Sequence, residues 1–109
     1  VPIEVSPTVR DDPGMAASIT VREFAYGSDA NQFVRMHVPE GDRLPVAVVI
    51  HGGFWRQRWG VDLADPIADD LARHGVAAAA VEYRRVGDGG TGGWPQTLAD
   101  VAKGVDDIA

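Results

Sequence analysis

Cysteine is absent from the 109 residues. Its absence excludes disulfides, thiolate nucleophiles and Cys-based zinc sites together, and it is compatible with a reducing compartment. No run of about 18 apolar residues is available to span a bilayer, and no charged-then-apolar leader opens the chain. The expectation is therefore a cytoplasmic protein with no membrane partner. Basic residues are also in deficit, 10 Lys and Arg against 16 Asp and Glu, for a formal net charge of -6. A nucleic-acid partner calls for a basic face, so none is expected. What remains is ordinary: 45% hydrophobic and 24% charged residues match a globular protein rather than a disordered or fibrous one. A chain of this length makes one domain, burying about 60 to 70% of its unfolded surface.

Residues 1–17, with Pro2, Pro7, Pro13 and Gly14, follow neither the helical nor the strand period and read as an irregular arm. Residues 18–109 read as the domain. From Ser18 to Phe24, Ile19 and Val21 alternate with Thr20 and Arg22; from Gln32 to Val38, Val34, Met36 and Val38 alternate with Phe33, Arg35 and His37. Both carry the period of a half-buried strand. The turn-forming run Tyr26 to Asn31 between them predicts an antiparallel hairpin. Val46 to Ile50 is different: five apolar residues without polar alternation suit a parallel strand covered on both faces. It stops at His51-Gly52-Gly53-Phe54-Trp55. In open α/β sheets, the carboxyl end of a strand is where ligands bind.

Beyond that turn, Val61, Ala64, Ala68 and Leu71 fall at helical spacing, which predicts a helix over Val61 to His74. Asp65-Pro66 is the expected N-cap and first helical residue, with an earlier start at Asp62 as the alternative and Gly75 as the stop. Val76 to Val81 is a second apolar run, expected to lie parallel to the first through a crossover helix. Pro95 to Ala109 forms the last predicted helix, with Leu98, Val101, Ala102, Val105 and Ile108 on its apolar face. In a parallel α/β protein a crossover helix delivers the chain to another strand, and none follows here, so the chain reads as interrupted.

The stretch from His51 to Trp55 resembles the oxyanion loop of the α/β-hydrolase superfamily, which follows a strand and carries a His-Gly-Gly motif. Val81-Glu82-Tyr83-Arg84-Arg85 is similar to that family's strand ending in an acid, Tyr and Arg. Trp94-Pro95 with Asp100-Val101 looks like the start of the helix before its nucleophile. Together these cover most of Ser18 to Ala109, and the nearest subgroups are small esterases and arylformamidase-like enzymes with His-Gly-Gly-aromatic-Trp. The resemblance implies the amino-terminal part of an α/β-hydrolase fold, an antiparallel hairpin leading into parallel strands with covering helices. It implies oxyanion donors at Gly53 and Phe54, supported by His51 and Gly52. The aromatic residues Phe54, Trp55, Trp59 and Trp94 read either as the lining of an acyl or aryl substrate pocket or as core and lid packing. Ester or amide cleavage by a serine nucleophile is the implied chemistry, with no cofactor and no metal.

The nucleophile is missing from this pattern. The family places it in Gly-x-Ser-x-Gly, followed by an Asp or Glu and then a His. Ser6, Ser18 and Ser28 all precede the oxyanion motif and none has those flanks. The chain is thus expected to lack a catalytic triad, to be inactive alone, and to need a complementary carboxyl-terminal fragment or chain carrying the nucleophile strand. A non-catalytic binding or interaction module is the competing class. Gly87-Asp88-Gly89-Gly90-Thr91-Gly92 matches G-x-G-x-x-G in form, but Arg84-Arg85-Val86 separate it from the strand and Trp94-Pro95 delay the helix. A dinucleotide site needs the glycines in the strand-to-helix turn itself, so a rim loop is the better reading. His37, His51 and His74 have no metal-ligand spacing. Glu82 with Arg84-Arg85 reads either as an ion pair near the site or as a polar strand end.

Overall fold

The computed structural model describes residues 8–11 and 18–108. Five strands form a mixed sheet: β1 (Thr8–Asp11), β2 (Ser18–Ala25), β3 (Phe33–Pro39), β4 (Val46–Ile50) and β5 (Ala77–Val81). Two helices accompany them, α1 (Asp65–Arg73) and α2 (Gln96–Ile108), and a 3-10 turn over Val61–Ala64 leads into α1. The sheet order is β1-β2-β3-β5-β4. The predicted hairpin is present, with β2 and β3 antiparallel and Ala25 opposite Phe33. β5 lies between β3, to which it is antiparallel, and β4, to which it is parallel. β1 is a departure from expectation: Thr8–Asp11 pairs antiparallel with β2 inside the stretch read as an irregular arm. The rest of that arm lies outside the described residues.

β5 is the hub. All five of its residues are buried, and four are alanines. Two hydrophobic clusters meet across it. Ala79 and Val81 pack with Tyr26 and Val34, with Phe24, Met36 and Ile108 of α2 closing over them. Ala80 faces the other way, with Val61, Ala64, Phe33 and Val49. The small side chains of β5 let both layers approach closely. Gly104 of α2 shows how closely: a Cβ there would lie 2.8 Å from Val81 Cγ1 and 3.3 Å from the Tyr26 ring.

Three local expectations are corrected. β4 is not covered on both faces: Val46, Val48 and Ile50 are 51%, 42% and 49% exposed. It is the last strand in the sheet order, and α2 packs over β5 and Tyr26 rather than over β4. In α2 the buried stripe is Thr97, Asp100 and Gly104, whereas Leu98 and Val105 are exposed. Polar bonds from Thr97 and Asp100 hold that stripe against Arg84, just beyond β5. Asp65 is the first residue of α1 rather than its N-cap, because the 3-10 turn runs straight into the helix and Ala64 caps it without a side-chain bond. The Asp65 carboxylate instead accepts from Arg35 Nη1 on β3 at 3.0 Å. The predicted stop holds: Gly75 has φ +84°, its amide bonds to the Ala72 carbonyl, and the Val76 amide reaches back to Leu71, the geometry of a Schellman cap.

A candidate oxyanion site at the ends of β4 and β5

β4 and β5 run parallel with Ile50 opposite Val81, so their next residues, His51 and Glu82, leave the sheet side by side. Both are buried. His51 Nε2 lies 2.6 Å from Glu82 Oε1, and His51 Nδ1 lies 2.9 Å from the Gly52 carbonyl oxygen. A carbonyl only accepts, so Nδ1 is the donor in the contact with Gly52. Tyr83 stacks flat on the imidazole, with ring centroids 4.5 Å apart and planes 8° off parallel. Its hydroxyl donates to the His51 carbonyl at 2.7 Å. Burial, and then the neighbouring Glu82 charge, raise the Tyr83 phenol above its ordinary pKa, so it stays a donor.

The second carboxylate oxygen of Glu82 accepts the Val61 amide at 2.8 Å. One side chain thereby ties together the two ends of the loop running from His51 to Val61. Arg85 supports the same joint: its Nη2 lies 3.5 Å from Glu82 Oε2, its Nη1 donates to the Trp59 carbonyl at 2.6 Å, and its Nη2 donates to Asn31 Oδ1 at 2.7 Å. Tyr26 donates to the Glu82 backbone carbonyl at 2.6 Å. A buried carboxylate is tolerated only when its charge and lone pairs are satisfied, and here they are.

Within the loop, Gly53, Phe54 and Trp55 have φ of +112°, +55° and +60°. A left-handed conformation costs roughly 1 to 2 kcal/mol at each residue with a Cβ. At Gly53 even space is lacking, since a Cβ would sit 2.6 Å from Trp59 Cβ. Glycine is needed there on both counts, while a Cβ at Gly52 would meet nothing within 4 Å. The Gly53 carbonyl accepts from Arg56, closing a tight turn, and the strand-like bonds Gln57 N to Val86 O and Val86 N to Trp55 O zip the loop to the chain after β5. Neither the Gly53 nor the Phe54 amide donates a hydrogen bond among the described residues. Two adjacent unpaired N–H groups at a strand's carboxyl end can receive an anionic oxygen.

The aromatic residues are less convergent. Phe54 is 92% exposed and Trp94 72%, with Trp55 and Trp59 partly open. The cavity of about 550 Å³ beside the loop is lined by Arg56, Gln57, Arg58, Val86, Gly87 and Asp88, without Trp55, Trp59 or Trp94. The glycine-rich loop folds back on the chain after β5: a Cβ at Gly90 or Gly92 would lie 2.2 Å from backbone atoms of Arg85 or Arg84. Those glycines permit backbone-to-backbone approach.

Next to this joint, Asp100 of α2 accepts from Arg84 three times, at its amide (3.0 Å), Nε (2.9 Å) and Nη2 (2.9 Å), and once from Gln32 Nε2 (3.0 Å). Burial alone would raise the Asp100 carboxyl; the bonds from Arg84 and Gln32 with the Arg84 charge outweigh it and hold it below the usual carboxylate range. Thr97 Oγ1 donates to the Arg84 carbonyl at 2.6 Å. Both readings of the strand-end charges are thus partly right: Arg85 pairs with Glu82 inside, and Arg84 pins α2. Sequence reasoning missed Asp100 and Thr97 as anchors, although their i, i+3 spacing with Gly104 a turn later was the available signal. His37 is a structural residue, buried with Nδ1 2.8 Å from Asp69 Oδ1 of α1. His74 lies exposed at the end of α1 with Nδ1 2.8 Å from the Asp70 carbonyl. Among the described residues, no group of three or more His, Asp or Glu side chains is arranged to hold a metal ion, and no helix is long and apolar enough to cross a membrane.

No protein-family model matches the sequence, and no curated protein sequence does. Two solved structures are similar. One is a bacterial heroin esterase, with TM-score 0.62 and 28% identity over 83% of this chain and 29% of that one. The other is an inhibited esterase B from Lactobacillus rhamnosis, with TM-score 0.61 and 25% identity over 74% of this chain and 26% of that one. The chain spans about a quarter to a third of the length of these esterases. Its mixed sheet and helices have the fold of part of an α/β-hydrolase domain.

Proposed function

We propose that this chain is the amino-terminal segment of a serine hydrolase that cleaves a small carboxylic ester or amide, as a carboxylesterase or formamidase-like enzyme does. Its contribution is the oxyanion hole. The observation that carries the reading is the pair of unpaired amides, Gly53 and Phe54, in a left-handed loop directly after β4, in a fold similar to part of two bacterial esterases. When a nucleophile attacks a carbonyl, charge develops on oxygen, and two fixed N–H donors stabilise that charge more than the ground-state carbonyl. Removing one such donor costs on the order of a hundred- to a thousandfold in kcat.

The serine, its histidine and the supporting acid come from outside these 109 residues. The serine oxygen attacks, the histidine takes its proton and returns it to the leaving group, and the oxyanion sits against Gly53 and Phe54 throughout. The bare apolar face of β4 and the Leu98 and Val105 side of α2 are where the remainder of such a domain would be covered or paired. The test pairs p-nitrophenyl acetate hydrolysis with labelling by a fluorophosphonate serine probe. The 109 residues alone are expected to be inactive and unlabelled. The longest polypeptide of the same reading frame, or this chain with a co-purifying partner, is expected to turn over ester and take up label. If neither form does so while remaining folded, the non-catalytic binding module is the correct class.

A further inference from the structure

A loop that presents two amides must also aim them, and glycines on both sides of a peptide bond leave that bond free to flip. The Gly52–Gly53 peptide is such a bond. It is trans, so its C=O and N–H point in opposite directions. Whatever holds the Gly52 carbonyl therefore sets the direction of the Gly53 N–H. His51 Nδ1 holds that carbonyl, at 2.9 Å. His51 is in turn held by Glu82 through Nε2 at 2.6 Å, and by the parallel Tyr83 ring. Glu82 is only 3% exposed and grips the far end of the loop at the Val61 amide.

We propose that Glu82 is the positioning residue of the oxyanion loop, acting through His51 to fix the Gly52–Gly53 peptide plane and so aim the Gly53 N–H. The proposal rests on the reading above, in which that amide is an oxyanion donor. Glu82 touches no reacting atom. Its carboxylate suits the task because each oxygen accepts from a fixed donor: Oε1, beside the His51 ring, from the Tyr83 amide at 3.2 Å, and Oε2 from the Val61 amide, with the Arg85 guanidinium 3.5 Å away. A glutamine has one acceptor oxygen, and its NH₂ would face either the Tyr83 amide or the Val61 amide, donor against donor, so it cannot hold both ends.

The experiment uses the longest polypeptide of the reading frame, or this chain with its co-purifying partner. Active sites are counted from the end-point of fluorophosphonate labelling, and p-nitrophenyl acetate turnover is expressed per labelled site. A wild-type protein that neither labels nor turns over ester overturns the hydrolase reading and this proposal with it. Given an active wild type, Glu82→Gln and His51→Phe are each expected to lower kcat per site by about 10- to 100-fold, since a donor is misdirected rather than deleted, with KM within about 3-fold. The phenylalanine keeps the stack on Tyr83 and tests the same link if the glutamine variant fails to fold. The double variant is expected to lose no more than the worse single variant, because one relay broken twice is still one relay. A kcat per site within about 3-fold of wild type, with only fewer sites labelled, would mean that Glu82 is merely a scaffold. Additive losses in the double variant would equally overturn the proposal.

Discussion

Replacing Asp100 by asparagine should cost about 2 to 3 kcal/mol at neutral pH, and most of that cost should disappear in acid. The side chain is 3% exposed and accepts four hydrogen bonds, three from Arg84 and one from Gln32. Breaking a buried ion pair by removing one partner costs about 3 to 5 kcal/mol. The figure is lower here because the Arg84 side chain is 28% exposed, so water partly solvates its stranded charge. Asparagine also retains one acceptor oxygen, worth about 1 kcal/mol of hydrogen bonding. The pH dependence follows from proton counting. The folded carboxyl titrates below its ordinary 3.8, so between the two values the unfolded chain binds more protons than the folded one. The stabilisation is complete above the unfolded value and is lost as pH falls through the folded one. Urea unfolding at pH 7, followed by circular dichroism, should show the deficit; in a series descending from pH 5, the wild type should converge on the variant, whose own stability lacks this dependence. An Asp100→Asn protein within 0.5 kcal/mol of wild type at pH 7, by this assay, would refute the claim that this ion pair anchors α2.

Other consequences are more local. Gly53→Ala places a Cβ 2.6 Å from Trp59 at a φ of +112°, so it should destabilise by about 2 to 4 kcal/mol in a thermal melt and, on the proposed hydrolase function, reduce kcat of the active form by about 100-fold or more. Gly104→Ala would gain about 1 kcal/mol of helix propensity, yet its methyl would meet Val81 at 2.8 Å, and a net loss of about 1 kcal/mol is expected by urea titration. Val48→Lys should be nearly neutral in the 109-residue chain, where Val48 is 42% exposed, but should cost about 2 kcal/mol or more in any form of the protein in which that face is covered. Equal effects in the two contexts would show that the bare face of β4 stays bare.

Periodicity made much of this architecture readable. The alternation on both sides of Tyr26 to Asn31 located the hairpin, and the apolar runs at Val46 and Val76 located the parallel pair, because strand and helix periods are backbone properties that survive in any context. Where expectation failed, the determinants were contacts between distant residues. The apolar character of β4 says that it suits a dry environment; it does not say which side these residues leave open. In α2, hydrophobicity nominated Leu98 and Val105 for the inner face, but Asp100 and Thr97 reach the end of β5 and rotate the helix toward it. At the candidate site, the motif located the loop from His51 to Phe54. The tie from Glu82 to both ends of that loop depends on the β4–β5 register, which no local pattern encodes.

The alanine run of β5 has a meaning for how this protein reaches its fold. Four consecutive alanines form the strongest helix-favouring segment the code allows and a poor strand former. The central strand is therefore extended because of its surroundings and not because of its own preference. What separates it from α1 is the left-handed break at Gly75, closed by the Val76 amide on the Leu71 carbonyl. Until β3 and β4 offer their edges, nothing beyond that break opposes a longer helix. The middle of the sheet is thus a conditional structure, extended because β3 and β4 pair with it on its two edges, and the pairing of His51 with Glu82 depends on the β4 register.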